Sequence, residues 1–342
     1  TTDDMTRSAI AEAAGTELVR NEEAWSHLVE TLKDRAYGAN EKQAFIPKSF
    51  NLIPNPFGTA PGFWGKVENT LVVSMPGPPR EMEPMFRSSV LPLLRKNLGM
   101  KEEERDEYST FLISEAKLEE LTRAADPSLD WGTRFQDYRI SLYVSGGDKT
   151  KRQEAIKKLR EMTGRERVVE GDKSALGILV EELKERGETI SCAESCTGGL
   201  AASNLTSLPG SSSYMMGSVT SYFLSVKEKV LGVKKETLEE YGAVSEECAL
   251  EMADGVRRVI SSDWAFSITG VAGPDKSEGK EVGTVCLGFS GKDRKSVAVT
   301  IHLFSFGRES IRRRSTAAAF ILMKAFMQGE DIKDIVQGWT VF

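Results

Sequence analysis

Three features of the chain predict an α/β protein of more than one domain. Its 342 residues exceed what one core usually holds, and 40% apolar with 28% charged residues is the make-up of ordinary globular domains. From Ser174 onward, strand-like and helix-like stretches alternate to a final long helix, which predicts a three-layer α/β/α domain. Ahead of it, a charged patch, MKEEERDE (100–107), sets off a short strand–helix–strand–helix run that predicts a small α+β module. The domains expected are therefore 1–98, 101–170 and 172–342.

Each element has its own signal. Residues 3–37 read as two helices, the first ended by Gly15 and the second spanning NEEAWSHLVETLKDRAYG. NLIPNPFGTAPGFWG (51–65) is dense in Pro and Gly and reads as loop, and TLVVSMPG follows as a short buried strand. PPREMEPMFRSSVLPLLRKNL opens on prolines and has helical spacing. In the middle, STFLIS and DYRISLYVS read as strands, EAKLEELTRAADP and TKRQEAIKKLREMTG as helices, and Arg165–Asp172 as a linker. The last domain reads as helix SALGILVEELKERG, strand ETISCA, a helix after Gly198, strand SYMMGSVTSYF, and helices SVKEKVLGV and SEECALEMADGVRRVI. Strands DWAFSITG, GTVCLGFSG and KSVAVTIHLF then lead to the closing helix ESIRRRSTAAAFILMKAFMQG.

Composition narrows the function. A net charge of −6 and a pI near 5.4 give no basic footprint for nucleic acid or an anionic membrane. No apolar run approaches the ~20 residues of a spanning helix, and no signal-peptide pattern is present. Cys192, Cys196, Cys248 and Cys286 lack zinc-ribbon spacing and read as buried thiols of a reducing, cytoplasmic protein. Only two histidines occur, His27 and His302, neither in a carboxylate-rich motif, which argues against a Ser-His-Asp triad or a histidine zinc site. The opening TTDDMTR begins at a helix cap with no strand before it, and reads as a chain lacking its natural start.

The chemistry concentrates at SCAESCTGGL (191–200), where a strand meets a small-residue turn and a helix. A hydroxyl there, Ser195, would lie near free backbone N–H groups and the positive helix end. That arrangement suits acyl transfer, while a serine capping a helix, with glycines serving only the turn, is the alternative. With imidazole so scarce, the candidate base is Lys227. Ser225-Val226-Lys227-Glu228 fits a capping box that puts Lys227 in a first helical turn, where the dipole lowers an ammonium's pKa and burial must add to it for a useful base. An ordinary solvated lysine is the alternative. Tyr222, at the end of a strand, could pass a proton between the two or simply mark the strand edge. SITGVAGPD brings Thr269, Gly270 and Gly273 to another strand end, and Arg308 precedes the last helix as a grip for phosphate or carboxamide. The Arg312–Arg314 run reads as a partly solvated helix face.

AESCTGGLAA, SYFLSVKEKVLGV, GAVSEECALEMADGV, SITGVAGPD, VGTVCLGF and GRESIRRR, in this order, resemble the CinA family, whose C-terminal domain is a nicotinamide mononucleotide deamidase. TTDDMTR, PNPFGTAPGFW and MPGPPREMEPMF resemble that family's N-terminal MoaB/Mog-like (molybdopterin-binding-fold) domain, without its opening strands. The stretch 101–170 resembles its small, KH-like middle module. The resemblance implies a serine/lysine amidohydrolase. Ser195 would be the nucleophile, Lys227 the base and Tyr222 an assistant, with N–H groups around Cys196, Thr197, Gly198 and Gly199 holding the oxyanion. Thr269, Gly270 and Arg308 would bind a small-molecule nucleotide substrate, without a cofactor, in a homodimer. For the N-terminal domain it implies divalent-metal-assisted ADP-ribose hydrolysis at Asp3, Asp4, Asn55 and Glu81. The chain departs from the family pattern at Phe223-Leu224 and at Phe306, where apolar bulk would either desolvate the base or narrow the pocket, and at Lys276 and Ser277. The alternative functions are a non-catalytic nucleotide-binding or assembly protein and a pyrophosphatase with a vestigial C-terminal half.

Overall fold

The structure, a computed structural model, describes residues 5–33, 38–99, 104–136 and 138–339, and the chain divides into two compact units, Thr1–Glu103 and Glu104–Phe342. The first unit contains α1 (Thr6–Ala13), β1 (Leu18–Arg20), α2 (Glu22–Leu32), α3 (Gly38–Glu41), β2 (Phe45–Pro47), β3 (Asn51–Ile53), β4 (Gly62–Val67), β5 (Thr70–Ser74), α4 (Pro79–Met85) and α5 (Leu91–Leu98). β1 and β2 pair antiparallel, and β3-β4-β5 form an antiparallel meander. Asn21 starts α2 by accepting the Ala24 N–H at 2.9 Å. The stretch 51–65 is thus not all loop. Its apolar ends, Leu52-Ile53 and Gly62-Phe63-Trp64, pair as strands, and the Pro/Gly density interrupts only what lies between. β5, expected to be buried, is a half-buried edge strand.

The second unit opens with β6 (Arg105–Phe111), α6 (Glu115–Ala125), β7 (Asp130–Gln136), β8 (Arg139–Ser145), α7 (Lys149–Thr163) and β9 (Val168–Glu170). All four strands run antiparallel to their neighbours, in the order β9-β6-β8-β7. That is the split β-α-β arrangement, strand order 4-1-3-2, a small α+β module. The charged patch ends inside β6, and β9 lies in the supposed linker. β7 escaped notice because it is a largely exposed edge strand with no apolar alternation to betray it.

The remainder comprises α8 (Ala175–Arg186), β10 (Ile190–Glu194), α9 (Leu200–Thr206), β11 (Met215–Thr220), α10 (Leu224–Val226), α11 (Lys235–Glu240), α12 (Glu246–Ile260), β12 (Trp264–Gly270), β13 (Thr284–Gly291), β14 (Arg294–His302), α13 (Arg308–Met327) and α14 (Ile332–Gly338). The sheet order is β11-β10-β12-β13-β14; the first three strands are parallel, and β13 and β14 run antiparallel. Alternation along the strands sends Ala193 and Ala265 to one face, against Cys248, Met252 and Val256 of α12. Cys192, Phe266 and Leu287 go to the other, under α8 and α13. This is the three-layer domain the alternating pattern predicts. Phe111 and Leu112, at the end of β6, belong to the same apolar core as Ile178 and Phe320, so the module and the domain share an interior. Trp339, past α14, donates to Glu166 at 2.5 Å, and Arg165 pairs with Glu330 at 2.5 Å across the same junction. No helix among the described residues is long and apolar enough to cross a membrane.

Candidate active site

Because β11, β10 and β12 are parallel neighbours, their carboxyl ends come out side by side at one edge of the sheet. Open α/β sheets build their sites at such edges. β10 delivers Ser195, β11 delivers Ser221 and Tyr222, and β12 delivers Thr269 and Gly270. β14 ends at the same edge and feeds α13, whose first residue is Arg308. Ser195, Tyr222, Thr269, Gly270 and Arg308 line a cleft of about 250 Å³ that also takes in Lys227, while Ser221 is buried beneath it.

At its centre, Lys227 Nζ stands 3.0 Å from Ser195 Oγ and 2.5 Å from the Ser221 carbonyl oxygen. The Ser195 N–H donates to the Ile268 carbonyl at 2.9 Å, which fixes the residue just past the strand. Lys227 does not lie in a capped first turn. Ser225 sits inside α10, Phe223 occupies the cap without a side-chain bond, and Lys227 opens a π-helical turn, Lys227–Leu231. Such turns push one residue out of α-helical register and often mark functional positions. Lys227 is 1% exposed, and burial pulls its ammonium below the ordinary value of 10.5, against the opposing fields of Cys248, Cys196 and Glu278. Desolvation, which the sequence reading required beside the helix dipole, is the leading cause.

The turn itself is held from below. Gly198 and Gly199 have φ of +60° and +93°, which only glycine adopts readily. The Glu194 carboxylate is wholly buried and accepts the N–H groups of Gly199 (3.0 Å), Ala201 (3.0 Å) and Ala202 (2.8 Å). Gly198 donates to the Ser195 carbonyl at 3.1 Å. Of the four N–H groups expected to face an oxyanion, those of Gly198 and Gly199 are therefore engaged internally. Those of Cys196 and Thr197 meet no carbonyl or carboxylate among the described residues. Arg312 donates to the Thr197 carbonyl at 2.8 and 3.3 Å, and Arg314, 9% exposed, to that of Phe304 at 2.8 Å. In the Arg312–Arg314 run, Arg313 is solvated and Arg312 partly so, as expected, while Arg314 is buried.

The tyrosine is placed differently from the proton relay. Tyr222 is 61% exposed, and its hydroxyl accepts from Arg308 at 3.3 Å, while Arg308 also donates to the Gly273 carbonyl at 2.7 Å. Thr269 is buried, with its hydroxyl donating to the Ala243 carbonyl at 2.7 Å. Gly270 leaves no room for a side chain: a Cβ would stand 2.7 Å from the Thr284 carbonyl oxygen. Phe223 is 73% exposed and neither desolvates Lys227 nor narrows the cleft, whereas Leu224 lines its mouth. Burial pushes the Cys196 and Cys248 thiols up to about 12, so neither competes as a nucleophile at neutral pH. All four cysteines are buried and free, as expected.

In the first unit, the Asn55 amide donates to Glu81 at 2.6 Å and to the Ala60 carbonyl at 2.8 Å. The two residues read from the sequence are therefore together, but Asp3 and Asp4 lie outside the described residues. Among the described residues no three His, Cys, Asp or Glu side chains converge on one point. Among the described residues, Glu81 alone does not make a donor set for a divalent ion.

The sequence reading missed Glu194, Ser221 and Arg312 as parts of this site. Glu194 did leave a signal: an acidic residue closing an otherwise apolar and small strand, ISCAE, has to be buried and bonded. Ser221 acts through its main chain and leaves none.

Fold and site together define an α/β protein with a serine–lysine pair at the carboxyl ends of parallel strands. The model of the CinA C-terminal domain matches residues 172–327, and that described as "Probable molybdopterin binding domain" matches residues 1–96. A Bacillus pumilus protein named "Putative competence-damage inducible protein" is 36% identical over 328 residues, covering 92% of this chain and 78% of that protein. Its namesake in Bacillus subtilis is 38% identical over 330 residues, with the same coverage of 92% and 78%. The crystal structure of a competence/damage inducible protein from Agrobacterium tumefaciens is 33% identical, with a TM-score of 0.44, over 46% of this chain and 98% of that one. The chain belongs to the CinA family.

Proposed function

We propose that the cleft hydrolyses the carboxamide of nicotinamide mononucleotide to the carboxylate and ammonia. The observation that carries this reading is the 3.0 Å contact between Ser195 Oγ and a buried Lys227 amine. A neutral amine has one lone pair and two N–H bonds. With one N–H given to the Ser221 carbonyl, the lone pair is free to take the serine proton.

Ser195 Oγ attacks the carboxamide carbon as its proton passes to Lys227. The oxyanion is held by the Cys196 and Thr197 N–H groups. The Lys227 ammonium then protonates the amide nitrogen, the C–N bond breaks, and ammonia leaves an acyl-serine ester. Water, deprotonated by Lys227, attacks the ester, and the proton returns to Ser195 Oγ as the acid departs. The net change is one carboxamide and one water to one carboxylic acid and one ammonia. Arg308, at the mouth of the cleft, meets the nucleotide phosphate.

Ammonia release from nicotinamide mononucleotide is the test, run on the wild type and on Ser195→Ala. The alanine variant is expected to lose release while still binding the nucleotide. A wild type that binds without releasing ammonia is the non-catalytic alternative, and unchanged hydrolysis in Ser195→Ala rules out the serine as nucleophile.

A further inference from the structure

Resting on that reading, we infer that Glu194 is a positioning residue, holding both halves of the serine–lysine pair in register. Its side chain holds the serine half: one buried carboxylate gathers the Gly199, Ala201 and Ala202 N–H groups at 2.8–3.0 Å, which sets the turn that follows Ser195. Its main chain holds the lysine half. The Glu194 carbonyl accepts the Ser221 N–H at 2.7 Å, and the Ser221 carbonyl in turn takes Lys227 Nζ. The residue touches neither reacting oxygen nor amine.

The bonding pattern also explains why the residue has to be a carboxylate. Oε2 accepts two N–H groups, while Oε1 accepts a third and lies 3.7 Å from the Cys192 thiol. Every neighbour donates. Glutamine would match one side and turn an NH₂ group against an N–H on the other, so a change with almost no difference in shape would tilt the turn. A second consequence concerns the oxyanion. By occupying the donors at the start of α9, Glu194 leaves the Cys196 and Thr197 N–H groups as those of the turn with no carbonyl or carboxylate partner among the described residues, and Cys196 lines the cleft.

The experiment compares full-length wild type, Glu194→Gln and Glu194→Asp in steady-state ammonia release from nicotinamide mononucleotide. Folding is checked by circular dichroism and thermal melting. In Glu194→Gln, kcat is expected to fall by about 100-fold, the scale of a misalignment near 1 Å, with KM changed less than about threefold. Glu194→Asp keeps the charge and a polar cap but retracts it by one methylene; it is expected to fold and to lose kcat in the same way. Nucleotide affinity should be equal in Ser195→Ala and in Ser195→Ala/Glu194→Gln, because Glu194 acts through the serine turn and not on the ligand. A folded Glu194→Gln or Glu194→Asp with kcat within about threefold of wild type overturns the inference, as does a loss confined to KM. Absence of ammonia release from the wild type counts instead against the proposed activity.

Discussion

A lysine amine serves as a base only when it is uncharged; burial shifts Lys227 towards that state and also costs stability. In the unfolded chain the amine regains its ordinary value of 10.5, whereas in the folded protein it titrates lower. Between those two values the unfolded chain binds more protons, so this residue's contribution to stability rises with pH across that window. Below it, the protein bears the full cost of a buried, easily charged group. Lys227→Met, of similar volume and never charged, is therefore expected to be more stable than wild type at pH 7. Urea unfolding at several pH values should show that advantage narrowing towards pH 10.5, and an advantage independent of pH would show that the lysine is not depressed. The same variant should lose at least about 100-fold in ammonia release, and Lys227→Arg should not recover it, since a guanidinium stays protonated. At this scale the sequence told part of the story. Ser195 and Lys227 stood out because a chain with two histidines has few other partners for a nucleophile. The bonds that aim them run through the Ser221 carbonyl and three backbone N–H groups, and main-chain contacts leave no mark on residue type.

The lysine's helix is itself positioned by a neighbour that has come unusually close. Gly255, midway along α12, lies where an added Cβ would stand 2.0 Å from the Leu231 carbonyl oxygen, the last residue of the turn that Lys227 opens. In an open helix, glycine to alanine gains about 1 kcal/mol of helix propensity. Here the methyl group would meet backbone that cannot rotate away, and overpacking of this kind costs about 1–3 kcal/mol. Gly255→Ala is therefore expected to lower the melting temperature and to reduce kcat by shifting Lys227. A stabilised, fully active variant would mean that the two elements can separate freely. Element by element, legibility followed burial. α8, α12 and α13 bury apolar stripes, β13 is buried throughout and β12 up to its last residue, so their patterns show in the sequence. β7 is an exposed edge, β9 has three residues, and β3 and β4 flank prolines and glycines that mask them. Short or exposed strands are specified by their partners, and a partner distant in sequence is invisible to local pattern.

At the scale of the whole chain, every group used in the proposed chemistry lies within Glu104–Phe342: Ser195, Lys227, Ser221, Glu194, Arg308 and the N–H groups of Cys196 and Thr197. Three domains were read from the sequence, yet the second and third form one compact unit. The reason is physical: Phe111 at the end of β6 and Leu112 just past it join the core beneath α13, and Trp339 returns from the far end of the chain to bond Glu166 and stack near Arg167, 5.4 Å from its ring. These contacts join stretches more than 150 positions apart, beyond the reach of any local signal. The outcome can be tested with two fragments. Residues 104–342 are expected to fold and to release ammonia with kcat within about threefold of the full chain. Residues 172–342 would expose the core surface left by Phe111 and Leu112 and would lose the partners of Trp339 and Glu330. That fragment is expected to melt at a lower temperature than the longer one, by several degrees for each kcal/mol lost. Equal melting temperatures would mean that the split β-α-β module is tethered to the catalytic layer without stabilising it, and the shared core would then contribute nothing measurable.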